Sequence, residues 1–133
     1  MFRPLPLMAA AALAALTIAG NASAQHREPA ANAPARAFEA KVREGMAYKR
    51  FRAEVMAAGW TGEGDPECSR SNSAELCTQL HELDDCSADG MCRMTFVHPD
   101  EDAVLRAATY GDILRWQKRG EEADVAVRGW GYE

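Results

Sequence analysis

The sequence is short of nearly everything from which a recognisable catalytic or nucleic-acid site is built. It holds three histidines, His26, His81 and His98, and lacks a Gly-x-Ser-x-Gly nucleophile turn, a Cys-x-x-Cys pair and a Gly-x-x-x-x-Gly-Lys phosphate cradle. A Ser-His-Asp hydrolase needs a nucleophile with a base held beside it, and a cysteine nucleophile needs a free thiol of lowered pKa; neither pattern is legible. Basic residues are mixed with acids and not gathered into a patch, which removes the electrostatic footprint of a nucleic-acid binder. Long hydrophobic runs are missing too. The one apolar stretch, Leu7 to Ile18, is about a dozen residues, where a membrane-spanning helix takes roughly 20.

What is present at the N-terminus has the three zones of an export signal: Arg3, the apolar run, and the small-residue tail Ala22-Ser23-Ala24 before Gln25. We read residues 1–24 as a cleaved signal peptide, which places the mature chain in the periplasm or outside the cell without stable membrane insertion. A bacterial lipid anchor would need a cysteine at the cleavage point, where Gln25 stands. Residues 25–37 contain two prolines and no large apolar side chain, so they cannot offset the cost of ordering; they are expected to form a flexible leader to a single domain over residues 38–133. Removing 24 residues from 133 leaves 109, enough for one modest core that gains from cross-links.

Four cysteines, Cys68, Cys77, Cys86 and Cys92, fall in the middle of the chain and would meet an oxidising compartment after export. Three pairings are possible; Cys68 with Cys77 and Cys86 with Cys92 is favoured because each closes a short loop rich in turn residues. Such loops are worth roughly 2 to 3 kcal/mol each. Zinc is excluded by spacing, since the gaps hold eight, eight and five residues while structural zinc sites place cysteines two to four apart. Asp84 to Gly90 lacks the spaced oxygens and closing glutamate of a calcium loop. No cofactor is called for.

Charge is uneven. The net of -5 becomes -6 once Arg3 is removed, and from Glu63 to Asp102 eleven acids face only Arg70 and Arg93, a local net of -9. Such a field repels nucleic acid and anionic membrane and steers basic partners.

Along the domain, Phe38, Val42 and Met46 recur at helical spacing. Tyr48, Phe51, Val55 and Met56 form a second stripe within a helix predicted from Met46 to Ala58, stopped by Gly59 in a left-handed cap. Trp60 is expected to fold back on it, and Thr61 to Pro66 reads as loop. Asn72 or Ser73 is a candidate cap for a helical turn through Leu80. The period then falls to two, with Cys92, Met94 and Phe96 on one face and Arg93, Thr95 and Val97 on the other. Ala103 to Thr109 returns as a strand, Ile113 to Arg119 is a short helix, and Val125 to Tyr132 is a last strand. Trp116, Trp130 and Tyr132 suit core and edge packing, or a contact site. The fold class is α+β: one main amphipathic helix on a small, about three-stranded antiparallel sheet, with a disulfide-stapled loop.

Tyr48-x-x-Phe51-Arg52-x-x-Val55-x-x-x-Gly59-Trp60, then paired cysteines, then Cys92-x-Met94-x-Phe96, then Leu105-Arg106-x-x-Thr109-x-Gly111 resembles a group of small, largely uncharacterised periplasmic proteins of Gram-negative bacteria. The resemblance spans Met46 to Gly111 and implies fold and location; it supplies no catalytic residue. The expected function is a non-enzymatic binding or inhibitory module whose acidic loop, with Glu75, Glu82, Asp84, Asp85 and Asp89, meets a basic protein. The alternatives are a small enzyme using His81 beside Glu82 and Asp84, or an envelope scaffold component.

Overall fold

The computed structural model describes residues 34–70, 74–119 and 124–133. The expected signal peptide, most of the expected leader, and the candidate caps Asn72 and Ser73 lie outside the described residues. The domain is packed from a point earlier than Phe38: Ala35 is fully buried and its carbonyl accepts a hydrogen bond from Trp60 Nε1 at 2.7 Å, so the end of the expected leader belongs to the core. The stripe starting at Phe38 forms a 3-10 turn, Ala37–Lys41, that buries Phe38 and then becomes extended at Val42.

The main helix, α1, is Tyr48–Ala57. It starts two residues later than the pattern suggests because Ala47 is extended and makes a bridge to Ala126. Tyr48, Phe51 and Val55 are fully buried on one face, each worth about 2 kcal/mol in removed apolar surface. Gly59 follows with φ 95°, and a Cβ there would stand 2.7 Å from His98 Nε2, so both backbone and space require glycine. Trp60 does fold back, its N–H donating to the Val55 carbonyl and its ring packing edge-on against Phe38.

The sheet has five strands, more than the three expected: β1 Thr61–Gly62, β2 Leu83–Cys86, β3 Met91–Val97, β4 Val104–Gly111 and β5 Val125–Tyr132. All pairs are antiparallel, in the order β1-β3-β4-β5, with β2 also on β3. Strands β1 and β2 share one edge of β3 end to end. The first pairs with Phe96 and Val97, the second with Cys92 to Met94, and the exchange occurs at Thr95, whose N–H donates to the Glu82 carbonyl (2.7 Å) while its carbonyl accepts from Glu63 N–H (2.9 Å). Both additional strands lie where glycine and acids signal loop. β1 is only two residues, and the β2 pairing is interrupted by a register shift between Leu83 and Asp85.

The alternation read in the sequence sets the faces. Cys92, Met94, Phe96, Leu105 and Ala107 are buried beneath α1 and two short helices, α2 Ala74–Gln79 and α3 Leu114–Arg119, whereas Arg93 and Arg106 point outward. Trp116 packs at a tilt against Tyr48 and Trp130 against Phe51, so both serve the core. The disulfides are Cys68–Cys77, which ties the 3-10 turn Pro66–Arg70 to α2, and Cys86–Cys92, which closes the β2–β3 hairpin. Among the described residues no helix is long and apolar enough to cross a membrane.

Thr109 is fully buried facing Val127, and its hydroxyl has no hydrogen-bond partner among the described residues. A buried, unsatisfied hydroxyl costs about 1 kcal/mol or more. Thr109→Val should therefore raise the unfolding free energy by about 1 kcal/mol, read as a higher urea midpoint at unchanged slope; a lower midpoint would show that the hydroxyl is bonded.

Candidate functional site

Glu82 is the residue whose placement organises this region, and it is not on the surface. It has no exposure to water. Its carboxylate accepts from Tyr48 OH (2.6 Å), Arg52 Nε (2.5 Å) and Arg52 Nη2 (3.4 Å), both partners coming from α1. Burial and then the adjacent Glu82 charge push the Tyr48 phenol well above its ordinary range, so Tyr48 serves as a neutral donor to the anion. The chain of β1 passes directly over this group. A Cβ at Gly62 would stand 2.7 Å from Glu82 N and 2.9 Å from its Oε2, and one at Gly64 would strike the Leu83 carbonyl. Glu82 is thereby corrected from a partner-contacting acid to an internal anchor between α1 and the β1–β2 junction.

Of the other four predicted residues, Glu75, Asp85 and Asp89 are exposed and Asp84 is mostly buried, and they do not form one patch. Glu75 is exposed in the first turn of α2. Asp89 bonds Ser87 Oγ, which lowers its pKa, and lines a separate hollow beside Ile113 and Leu114. Asp84 and Asp85 are brought together with residues the spacing did not indicate. Asp84 accepts from Thr95 Oγ1 (2.6 Å) and Arg106 Nη1 (3.4 Å) on the outer sheet face. Asp85 receives a two-pronged bond from Arg93, at 2.7 and 2.8 Å.

Asp65 and Glu67 stand opposite them. Asp65 accepts from Glu67 N–H at 2.8 Å, and Glu67 pairs with Arg70. Asp65, Glu67, Asp84 and Asp85 line one groove of about 260 Å³, with Cys68 and Cys86, one from each disulfide, in its walls. The signal for Asp65 and Glu67 was available, since they belong to the same acidic run and immediately precede Cys68; what sequence does not give is that the Cys68–Cys77 bridge turns them toward β2. The histidine reading does not assemble. His81 is exposed with Nε2 3.0 Å from the Thr78 carbonyl, Glu82 points inward and Asp84 faces the sheet's outer side. Among the described residues no three His, Cys, Asp or Glu side chains are placed to hold a metal ion.

Comparison of the chain with protein-family models, with curated proteins and with solved structures finds no match. The reading of the groove therefore rests on its geometry.

The Arg93 guanidinium bonded to Asp85 holds that carboxyl below the usual aspartate range. A depressed folded-state pKa adds stability that is complete above the unfolded value, about 3.9, and is lost as pH falls through the folded value; for so exposed a pair it is under about 1 kcal/mol. In an NMR titration, Asp85 should have a midpoint below that of an ordinary aspartate, and Arg93→Gln should return it upward. An unmoved midpoint would show that the pair does not persist in solution.

Proposed function

We propose that the protein is a recognition module of the bacterial envelope that binds a basic protein through the groove formed by Asp65, Glu67, Asp84 and Asp85. The observation that carries this reading is the convergence of four carboxylates on one hollow fixed by both disulfides. A wall held by covalent links loses little freedom on docking; Arg70, Arg93 and Arg106 offset the charges of Glu67, Asp85 and Asp84, but the segment from Glu63 to Asp102 keeps its excess of acids, and that net negative charge speeds encounter with a positive surface. Location in the periplasm is supported by the export-type N-terminus, by two disulfides, and by the resemblance of Met46 to Gly111 to small periplasmic proteins. The catalytic reading loses its support because His81, Glu82 and Asp84 point to three different places.

The test uses the mature, oxidised protein and an Asp65→Lys, Glu67→Lys, Asp85→Lys variant as baits for an envelope extract. The wild type should retain a protein of high isoelectric point, with retention falling as salt rises. The reversed variant, at an unchanged thermal midpoint, should lose at least tenfold of it. Equal recovery by the two baits would reject the groove as the docking site.

A further inference from the structure

Thr109 is out of place in the oxidised core. It lies on the inner face of β4 with Leu105 and Ala107, and it has no exposure to water. Its Oγ1 is the one buried side-chain polar atom without a hydrogen-bond partner among the described residues. Valine has nearly the same shape and no group to satisfy, so the oxidised fold gives no reason for the hydroxyl.

The residue facing Thr109 across the β3–β4 ladder is Cys92, which is 1 % exposed on the same inner face. Directly opposed residues of an antiparallel pair have Cβ atoms about 5 Å apart. A thiol turned that way reaches the hydroxyl with one hydrogen bond. In the disulfide it cannot: β2 and β4 flank β3 on opposite sides, and the bond to Cys86 draws the Cys92 sulfur toward β2 and replaces its hydrogen.

The two bridges also differ in what they hold. Cys86 and Cys92 are opposed in the β2–β3 hairpin, which is closed as well by Ser87 N–H on the Met91 carbonyl (2.7 Å), Gly90 N–H on the Ser87 carbonyl (3.1 Å) and the two-pronged Arg93–Asp85 pair. A cross-link between residues only six apart removes little freedom from the unfolded chain, so the hairpin keeps its register without it. Cys68–Cys77 instead joins a 3-10 turn to α2, elements that no strand ladder connects. Cys86 is half-buried and stands in the walls of two hollows, of about 260 and 560 Å³, while Cys92 is enclosed. Attack therefore falls on Cys86, and the leaving sulfur is the one that Thr109 faces.

We propose that Cys86–Cys92 is a site of reversible thiol–disulfide exchange with an external dithiol, and that Thr109 receives the Cys92 thiol in the reduced form. A thiolate of the dithiol attacks Cys86 Sγ. The sulfur–sulfur bond breaks and its electron pair leaves on Cys92 Sγ, which takes up a proton and bonds with the Thr109 hydroxyl. The second thiolate of the dithiol displaces Cys86 from the mixed disulfide, and Cys86 is protonated in turn. Two electrons and two protons have then passed to the protein from the dithiol, which is left as a disulfide. Stabilising the reduced form makes a disulfide more oxidising, and a buried thiol is otherwise tolerated as a small apolar group. The exchange site stands whether or not the neighbouring groove docks a protein; opening it removes the covalent tie from the groove wall at Cys86.

The experiment equilibrates the mature oxidised protein at set ratios of reduced to oxidised dithiothreitol, blocks free thiols with N-ethylmaleimide and locates them by peptide mass spectrometry. Cys86–Cys92 should be half open at about one tenth of the ratio that Cys68–Cys77 needs, with native tryptophan fluorescence kept. Thr109→Val should move the Cys86–Cys92 midpoint alone, by about fivefold in equilibrium constant or roughly 20 mV toward more negative potential, and Thr109→Ser should leave it in place. Thr109→Ala serves the same purpose if the valine variant does not fold. An unmoved midpoint in Thr109→Val would show that the hydroxyl does not receive the thiol and would overturn the proposal. So would Cys68–Cys77 opening first, or both bridges opening together with loss of the fold.

Discussion

The Glu82 carboxylate, closed off from water and held by Tyr48 and Arg52, is the interaction on which the remainder of the structure depends. Desolvating an anion costs several kcal/mol, and only good geometry with most of its lone pairs occupied offsets this. Here the donors come from α1, 30 and 34 residues earlier, so the ion pair fixes the helix against the point where β1 gives way to β2 along β3. Its main chain contributes as well, because the Glu82 carbonyl accepts the Thr95 amide at that exchange. Gly62 and Gly64 follow from the same constraint, since any side chain there would displace the acid or the adjoining peptide.

A chain with a thin core gains two things from this arrangement. Cys68–Cys77 and Cys86–Cys92 restrict the segment with the least apolar material, reducing the freedom lost on folding. The outer face is then free to be polar, with Arg93 and Arg106 linked to Asp85, Asp84 and Glu133. The groove is thus a by-product of how the sheet edge is closed: Asp84 and Asp85 sit on a strand anchored by the preceding residue, and Asp65 and Glu67 on a turn anchored by the following cysteine.

The α+β class, the Tyr48-Phe51-Val55 face of the helix, the alternation from Cys92 to Val97 and the bounds of the last strand could be read from residue periodicity, because in each case one face is apolar and the other is not. The favoured cysteine pairing is the one formed. Strand β2 was hidden by its composition, Leu83-Asp84-Asp85-Cys86, which reads as loop until the Arg93 and Thr95 side chains that receive those acids are placed across from them. Burial of Glu82 was likewise illegible, since a glutamate among acids gives no local sign that a tyrosine and an arginine one helix away will enclose it. Ala35 reads as leader because no large apolar residue surrounds it in the sequence; Trp60, 25 residues later, holds its carbonyl in the core.

The central claim is tested most directly by denaturant unfolding of Arg52→Met, which keeps the apolar stem and removes the cation from the buried carboxylate. The account predicts a loss of about 3 kcal/mol relative to wild type, with faster hydrogen exchange at the Thr95 amide. A change within about 0.5 kcal/mol, the usual range of a surface substitution, and undiminished protection at Thr95 would contradict it.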